Sequence, residues 1–366
     1  MPRNRLLSAL LLYPVSRLYG MGVAVRNKLF DQGIFFKQQE FKVPVVVVGN
    51  IAMGGTGKTP HVEYIIEALR DRYNIGVLSR GYKRSTKGFV LATPQSRPED
   101  IGDESYQVYR KFGPGITVAV CEKRVDGINR MLEINPKIDL ILLDDAFQHR
   151  YVKPTVSIVL TEHNRPVFKD SLLPYGRLRE PGGALNRADI VIVTKCPPDM
   201  KPMQYRIFEE NLNLFPFQKL YFSKYNYGHL VPVFPDDVEN VPSFDTMEPG
   251  TSLLAVTGVA NPKPFVRYLR RRKAKVKLKR FGDHHNFTSS DMSEIEKEFN
   301  ELPGPGKFIV TTEKDAVRLF NSPYFPHALK SVIFYVPIKV DFIDRSHEAP
   351  LEKAIEKTIR DSRLFK

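Results

Sequence analysis

The chain has 366 residues, 42% of them hydrophobic, and carries 55 Lys+Arg against 41 Asp+Glu, a net charge of +14. That length can bury two cores, and the two cysteines, Cys121 and Cys196, exclude a disulfide framework or a cysteine metal site and suit a reducing compartment. The positive excess bears on partners rather than on fold: nucleic acid, an anionic membrane or a phosphorylated substrate.

The first forty residues are apolar and basic together. Leu6 to Val25 is mostly apolar, with Arg3, Arg5, Arg17, Arg26 and Lys28 around and within it. A signal peptide would need a small-x-small site that does not follow, and it would carry the protein away from cytosolic ATP. A spanning helix would hold Arg17 near its middle, at a cost of about 2.5–3.5 kcal/mol, and Pro14 as well. An interfacial helix with its apolar side in lipid is the expected form, and a helix packed on its own domain is the alternative.

Val43-Pro44-Val45-Val46-Val47-Val48 predicts a strand covered on both faces, and Gly54-Gly55-Thr56-Gly57-Lys58-Thr59 follows it. Pro60 then sits in the first turn of a helix predicted to run from His61 to Arg72. Strand, glycine turn and helix N-terminus make a phosphate cradle, with Gly54, Gly55, Thr56, Gly57, Lys58 and Thr59 as the nucleotide-binding residues. Lys58 reaches the β/γ-phosphates and the Thr59 hydroxyl faces Mg²⁺. The full pattern wants a glycine at 52, where the chain has Ala52.

Further on, Ile75–Ser79 reads as a strand running into Arg80-Gly81-Tyr82, and 88–92 as another. Asp103-Glu104-Ser105 opens a helix to about Lys111. Ile116–Val120 is a strand, Lys123–Ile134 a helix, and Ile138–Leu143 a strand ending in Asp144-Asp145. A strand ending in aspartate beside a phosphate loop is a Walker B element, whose carboxylate meets Mg²⁺. Val156–Leu160 and Ile190–Val193 complete an alternating pattern, which implies a parallel sheet with ligand at its carboxyl ends. Between them, Leu173 to Gly183 is punctuated by proline and glycine and reads as a loop whose arginines face either solvent or an anionic substrate.

The expected organisation is an α/β P-loop NTPase-type parallel-sheet domain with a second, smaller α/β domain and an N-terminal apolar and basic helix. The boundaries are 1–40 for the membrane-interfacial helix region, 41–200 for the nucleotide core, 201–250 for a connector with a hairpin, and 251–366 for the second domain. That last domain carries a basic run from Arg267 to Arg280 and then Asp283-His284-His285. Val193-Thr194-Lys195-Cys196-Pro197 comes close to a guanine-reading element but has proline where aspartate belongs, which favours ATP. No RNP-like motif, zinc finger or helix-turn-helix signature is present, so no nucleic acid is expected. No obligate protein partner is evident. A kinase needs a group to receive the acceptor's proton, and a histidine beside a carboxylate can do so. A nucleotide-switch ATPase acting on a partner is the competing reading.

Eight segments together resemble one family, the lipid A 4′-kinases (tetraacyldisaccharide 4′-kinase). They are Val48-Gly49-Asn50 leading into Gly54 to Pro60, Ser79-Arg80-Gly81-Tyr82, Gly102-Asp103-Glu104, and Asp144-Asp145-x-Phe147-Gln148-His149. The others are Leu173-Pro174 through Leu178-Arg179-Glu180-Pro181, Thr257-Gly258-x-Ala260-Asn261-Pro262, Phe281-x-Asp283-His284 and Thr312-Glu313-Lys314-Asp315-Ala316-Val317-Arg318. Ala146 and Ser105 depart from the glycine and proline usual at their positions. The resemblance implies transfer of the γ-phosphate of ATP to the 4′-hydroxyl of a tetraacylated glucosamine disaccharide 1-phosphate, with Mg²⁺, at the cytoplasmic face of a bacterial inner membrane. It implies a peripheral enzyme whose partners are this glycolipid and the anionic membrane surface. It assigns an acid–base dyad to Asp103 and His284, and metal-side carboxylates to Glu104, Asp144 and Asp145.

Overall fold

The computed structural model describes residues 3–33, 37–272, 274–283, 285–304, 306–345 and 349–362, with side chains from residue 11 onward. The first sheet takes β1 (Val45–Asn50), β2 (Ile75–Ser79), β3 (Val90–Leu91), β4 (Thr117–Val120), β5 (Leu140–Asp144), β6 (Val156–Glu162), β7 (Ile190–Thr194) and β8 (Lys219–Tyr227). The second takes β9 (Val231–Pro232), β10 (Ser252–Thr257), β11 (Lys275–Arg280), β12 (Lys307–Thr312) and β13 (Ile333–Val336). Then β14 (Ile338–Phe342) returns to the first sheet, whose spatial order is β14-β8-β7-β6-β1-β5-β2-β4-β3. The second sheet runs β11-β10-β12-β13-β9.

β1 lies between β5 and β6, parallel to both, and each of its six residues is buried. Val45 and Val47 face one core with Leu143 and Phe222, while Val46 and Val48 face the other with Ile66 and Leu160. Helices cover both faces, so the strand has no polar side and reads as an unbroken valine run. The expected α/β architecture with a parallel-rich sheet is the one found.

The helices are α1 (Arg3–Gln32), α2 (Lys58–Leu69), α3 (Pro98–Ile101), α4 (Asp103–Phe112), α5 (Arg124–Ile134), α6 (Pro202–Leu212), α7 (Lys263–Arg270), α8 (Ser289–Asn300), α9 (Glu313–Phe320) and α10 (Leu351–Asp361). The sheets correct two expected boundaries. The stretch 201–250 is more than a connector, because α6 and the nine-residue β8 belong to the first unit and β8 pairs parallel with β7. The stretch 251–366 is not one domain either. β14 pairs antiparallel with β8, and Leu351, Ile355 and Ile359 of α10 join the core of the first sheet. The chain leaves the first sheet, builds the second and comes back, a long-range closure that no local pattern encodes.

The basic run also resolves. Lys275–Arg280 is the edge strand β11, and two of its three lysines are met from α8: Lys277 by Glu298 and Lys279 by Glu294 and Glu298. That part of the run is a face matched by acidic side chains.

The two units meet along α4 and α9. Lys111 bridges Glu63 of α2, at 2.6 Å, and Glu313 of α9, at 3.3 Å. Arg110 stacks on Phe320 at 4.0 Å from the ring centroid, and Val317 enters the first core. α1 lies on the first unit through one side. Ser16 donates to Leu172 O at 2.8 Å, Tyr19 to Arg179 O at 2.9 Å and Arg26 to Gln148 O at 2.7 Å, with Phe30 buried. Its other side is apolar and exposed, with Leu11 69%, Leu18 66%, Met21 64% and Val25 60% accessible. Both expectations for this segment hold part of the description: it is packed, and it shows an apolar face to solvent.

Candidate active site

The phosphate loop is built around two glycines whose side chains would not fit. A Cβ on Gly49 would sit 2.6 Å from the Cβ of Phe147, so the β1 end can lie against the β5 turn only without one. Gly57, the residue before α2, has φ +95°, the left-handed region, and Tyr225 fills the space a side chain would take. Asn50 Nδ2 donates to Thr56 Oγ1 at 2.7 Å, and Thr56 N donates to Gly54 O at 2.9 Å. Lys58 and Thr59 are the first two residues of α2, at its positive end.

His61 braces this turn from below. Its Nδ1 lies 2.7 Å from Gly57 O, so Nδ1 carries the proton, and Nε2 accepts from the Ser223 hydroxyl at 2.8 Å. Burial pushes the imidazole down to about 4, which keeps it neutral and this tautomer in place. On the other side, the near-guanine element Thr194-Lys195 serves as a buttress. Thr194 Oγ1 donates to Thr56 O at 2.8 Å, and Lys195 Nζ donates to Gly55 O.

β5 ends beside this loop. Asp144 is buried and Asp145 has φ +48°, a conformation rare for a residue with a side chain and typical of functional turns. Lys58 Nζ stands 3.6 Å and Arg179 Nη1 3.5 Å from Asp145 Oδ1. Both Asp144 Oδ1 and Asp145 Oδ1 are buried with no hydrogen bond among the described residues. Burial, with Glu104 and Asp145 as like-charged neighbours, pushes Asp144 up to about 7 against the pull of Lys58 and Arg124. Crowded carboxylates beside a phosphate cradle, with Asp144 Oδ1 buried and without a hydrogen bond among the described residues, fit a divalent cation. Among the described residues no three His, Cys, Asp or Glu side chains close into a cage. That suits Mg²⁺, which binds through one or two carboxylates, substrate phosphates and water.

The raised Asp144 has a consequence for stability. An unfolded aspartate ionises near 4, so between about 4 and 7 the folded state holds the extra proton. Stability of the metal-free protein is therefore expected to fall as pH rises through that window. Asp144→Asn should flatten the slope in denaturant titrations at a series of pH values.

The loop 171–181 is irregular, as its prolines and glycines predict, but it is tied down. Met53 N donates to Arg177 O and Arg179 N to Ile51 O, both at 2.7 Å, which lays the loop along the approach to the glycine turn. Arg177 is spent on Asp170 at 2.8 Å, and Arg179 is the arginine that reaches the aspartates.

The N-terminus of α4 sits beside the end of β2, next to β5 in the sheet. Ser105, where the family usually has proline, places its hydroxyl 2.5 Å from that of Ser79 and so pins the helix. Asp103 and Glu104 are the first two residues of α4. Asp103 does not stand alone: Arg318 of α9 donates to its Oδ2 through Nε at 2.9 Å and through Nη2. Arg318 Nη1 also lies 3.5 Å from Asp315 Oδ1. Asp315 is fully buried and accepts from Gly258 N at 2.9 Å and from the Thr312 hydroxyl at 2.7 Å.

His284 lies outside the described residues. Its neighbours are placed: a side chain on Gly258 would meet Gly282 O and Asp315 Oδ1 at 3.1 Å and His285 Cβ at 3.5 Å. His285 itself is 2.9 Å from Asp291 and stacks on Phe281.

Sequence reasoning missed Arg318, Arg179, His61 and Lys195 as parts of this site. Arg179 and Arg318 stood inside quoted motifs, yet a motif does not say which partner a guanidinium finds.

A model of the family described as tetraacyldisaccharide-1-P 4′-kinase (LpxK) matches residues 8–360. A tetraacyldisaccharide 4′-kinase of Bacteroides thetaiotaomicron is 50% identical over 343 residues, 92% of this chain and 90% of that protein. One from Flavobacterium johnsoniae is 40% identical over 352 residues, 96% and 97% of the two chains. A crystal structure of LpxK from Aquifex aeolicus in complex with ATP superposes with a TM-score of 0.72 at 29% identity, covering 98% of this chain and all of that one. The phosphate cradle, the paired aspartates and the match from end to end lead to one conclusion: the chain belongs to the tetraacyldisaccharide 4′-kinase family.

Proposed function

We propose that this kinase moves the γ-phosphate of ATP to the 4′-hydroxyl of a tetraacylated glucosamine disaccharide 1-phosphate in the crevice where the carboxyl ends of the two sheets meet. The observation that carries the residue assignment is the gathering of the Gly57-Lys58 turn, the Asp144-Asp145 pair after β5 with Lys58 beside Asp145, and an Asp103 held from the second unit. The backbone N–H groups from Gly54 to Thr59 cradle the phosphates, and Lys58 offsets their charge. The Thr59 hydroxyl with Asp144 and Asp145 would hold Mg²⁺, and Glu104 adds negative charge beside them. A divalent cation held by these residues would supply positive charge to the phosphates. Asp103 with His284 takes the proton of the 4′-hydroxyl as its oxygen bonds to the γ-phosphorus and the bond to the β-phosphate oxygen breaks. The direct test is ATP turnover with and without detergent-solubilised glycolipid, followed by mass spectrometry of the lipid. A kinase yields a phosphorylated lipid in step with ADP; ADP without that product would instead make the chain a nucleotide-switch ATPase.

The same reading sets the enzyme on the cytoplasmic face of the inner membrane as a peripheral protein. No helix among the described residues is long and apolar enough to cross a membrane. The exposed apolar side of α1 and the net charge of +14 suit an interfacial position on anionic lipid. Because α1 rests on Leu172 and Arg179, that position would bring a membrane-held acceptor to the loop beside Asp145. Deleting residues 1–25 is expected to abolish sedimentation with anionic liposomes while the remaining chain keeps a cooperative thermal transition. Equal partitioning of both forms would refute the interfacial role.

A further inference from the structure

We infer that Arg318 is a positioning residue for the phosphoryl transfer: it fixes the Asp103 carboxylate to the second unit, so that Asp103 is in register only when the two units are docked. The inference rests on the reading of Asp103 as the group that receives the acceptor's proton.

The geometry is a relay of three charged groups. Asp315 is anchored by the Gly258 amide at the end of β10 and by Thr312 at the end of β12, and it is completely buried. Arg318, one turn on along α9 and itself only 9% exposed, faces Asp315 through Nη1. The same guanidinium sends Nε and Nη2 to a single oxygen of Asp103, 215 residues away in sequence. Two N–H donors of one rigid group converging on one oxygen fix where that oxygen sits more closely than a lysine's rotatable ammonium would. Asp103 is the first residue of α4, where the helix dipole already favours a negative charge. What the fork adds is a fixed position.

A purely architectural role is a poorer account. α4 and α9 are already joined by Lys111 to Glu313, by Arg110 on Phe320, by Tyr106 to Asn321 at 3.4 Å, and by Val317 in the core. Arg318 is thus one of several ties between the units. Its position does something else: it ties the carboxyl ends of the second sheet to the one carboxylate of α4 that faces them.

The test uses the full-length enzyme and measures kcat, both KM values and thermal midpoint for Arg318→Gln, Arg318→Lys, Asp103→Ala and the double variant Asp103→Ala/Arg318→Gln. A misplaced catalytic group costs on the order of 10²-fold, so Arg318→Gln should lose about that factor in kcat with KM for ATP nearly unchanged. Arg318→Lys should recover part of it, since the charge returns without the fork. The double variant should be no slower than Asp103→Ala. Should Arg318→Gln fail to fold, Arg318→Lys alone must still show a kcat loss at unchanged KM for ATP. A kcat within a few-fold of the parent in a folded Arg318→Gln or Arg318→Lys, while Asp103→Ala is crippled, would overturn the inference and leave the role of Asp103 standing. Losses that multiply in the double variant would also overturn it. A harmless Asp103→Ala would instead remove the reading beneath it.

Discussion

Lys58→Ala is expected to lower kcat by about 10²–10³-fold with the fold intact, the range found when one charge-stabilising donor is removed from a transition state. Lys58 is the first residue of a helix that begins where the phosphate turn ends, and its ammonium stands 3.6 Å from Asp145. Its charge acts mainly as negative charge redistributes over the transferred phosphoryl group, so kcat should fall more than affinity for ATP. Loss of the ammonium still leaves Asp145 with Arg179 at 3.5 Å and the charge of Arg124 nearby. The Asp145–Arg179 pair is one-third exposed on each side, so water can make up the difference and the thermal midpoint should move little. Single-turnover phosphoryl transfer and differential scanning fluorimetry check the two halves. Near-normal turnover by a folded Lys58→Ala enzyme would sink the assignment of the nucleotide site.

Asp103→Ala and His284→Ala are each expected to cost about 10²–10⁴-fold in kcat, the usual worth of general acid–base assistance. The double variant should be little worse than the slower single, because groups that pass one proton act as a unit. His284 lies outside the described residues, but Gly282 and His285 on either side of it lie by Gly258, whose amide donates to Asp315. Asp315 shares Arg318 with Asp103. The two halves of the proposed dyad therefore belong to segments joined through one guanidinium. His285 is the internal control. It is tied to Asp291 at the start of α8, and His285→Ala should affect stability before chemistry. Independent, multiplying losses from Asp103→Ala and His284→Ala would argue against a dyad. A harmful His285→Ala with a harmless His284→Ala would reverse the choice between the adjacent histidines.

Much of the nucleotide side was legible in the chain because its signals are local. A strand buried on both faces reads as an unbroken apolar run, a turn at φ +95° favours glycine, and α2 begins where that turn ends. The Lys58-Thr59 pair and the Asp144-Asp145 end of β5 are set by such short-range constraints, and their neighbourhood in space follows from β1 and β5 lying side by side. Only the pairing of strands told that α6, β8, β14 and α10 belong to the first unit. β8 alternates too weakly to announce itself, and β14 finds its partner more than a hundred residues back. The edge strand β11 looked like a charge run because two of its three lysines are matched by glutamates on α8, and complementarity between elements leaves no local mark.

Motif and family resemblance were enough to point to a phosphate cradle, and they proposed a metal-side aspartate pair and a carboxylate with a histidine for the proton. They could not say how the carboxylate is held. Arg318 and Asp103 are 215 residues apart, and each has a bland local reading, a basic residue in the last turn of a helix and an acidic one in the first. Tertiary structure made them partners because the carboxyl ends of the two sheets face each other and α9 packs along α4. A side chain's partner depends on which surfaces fold together, and the chain specifies that only through its whole packing.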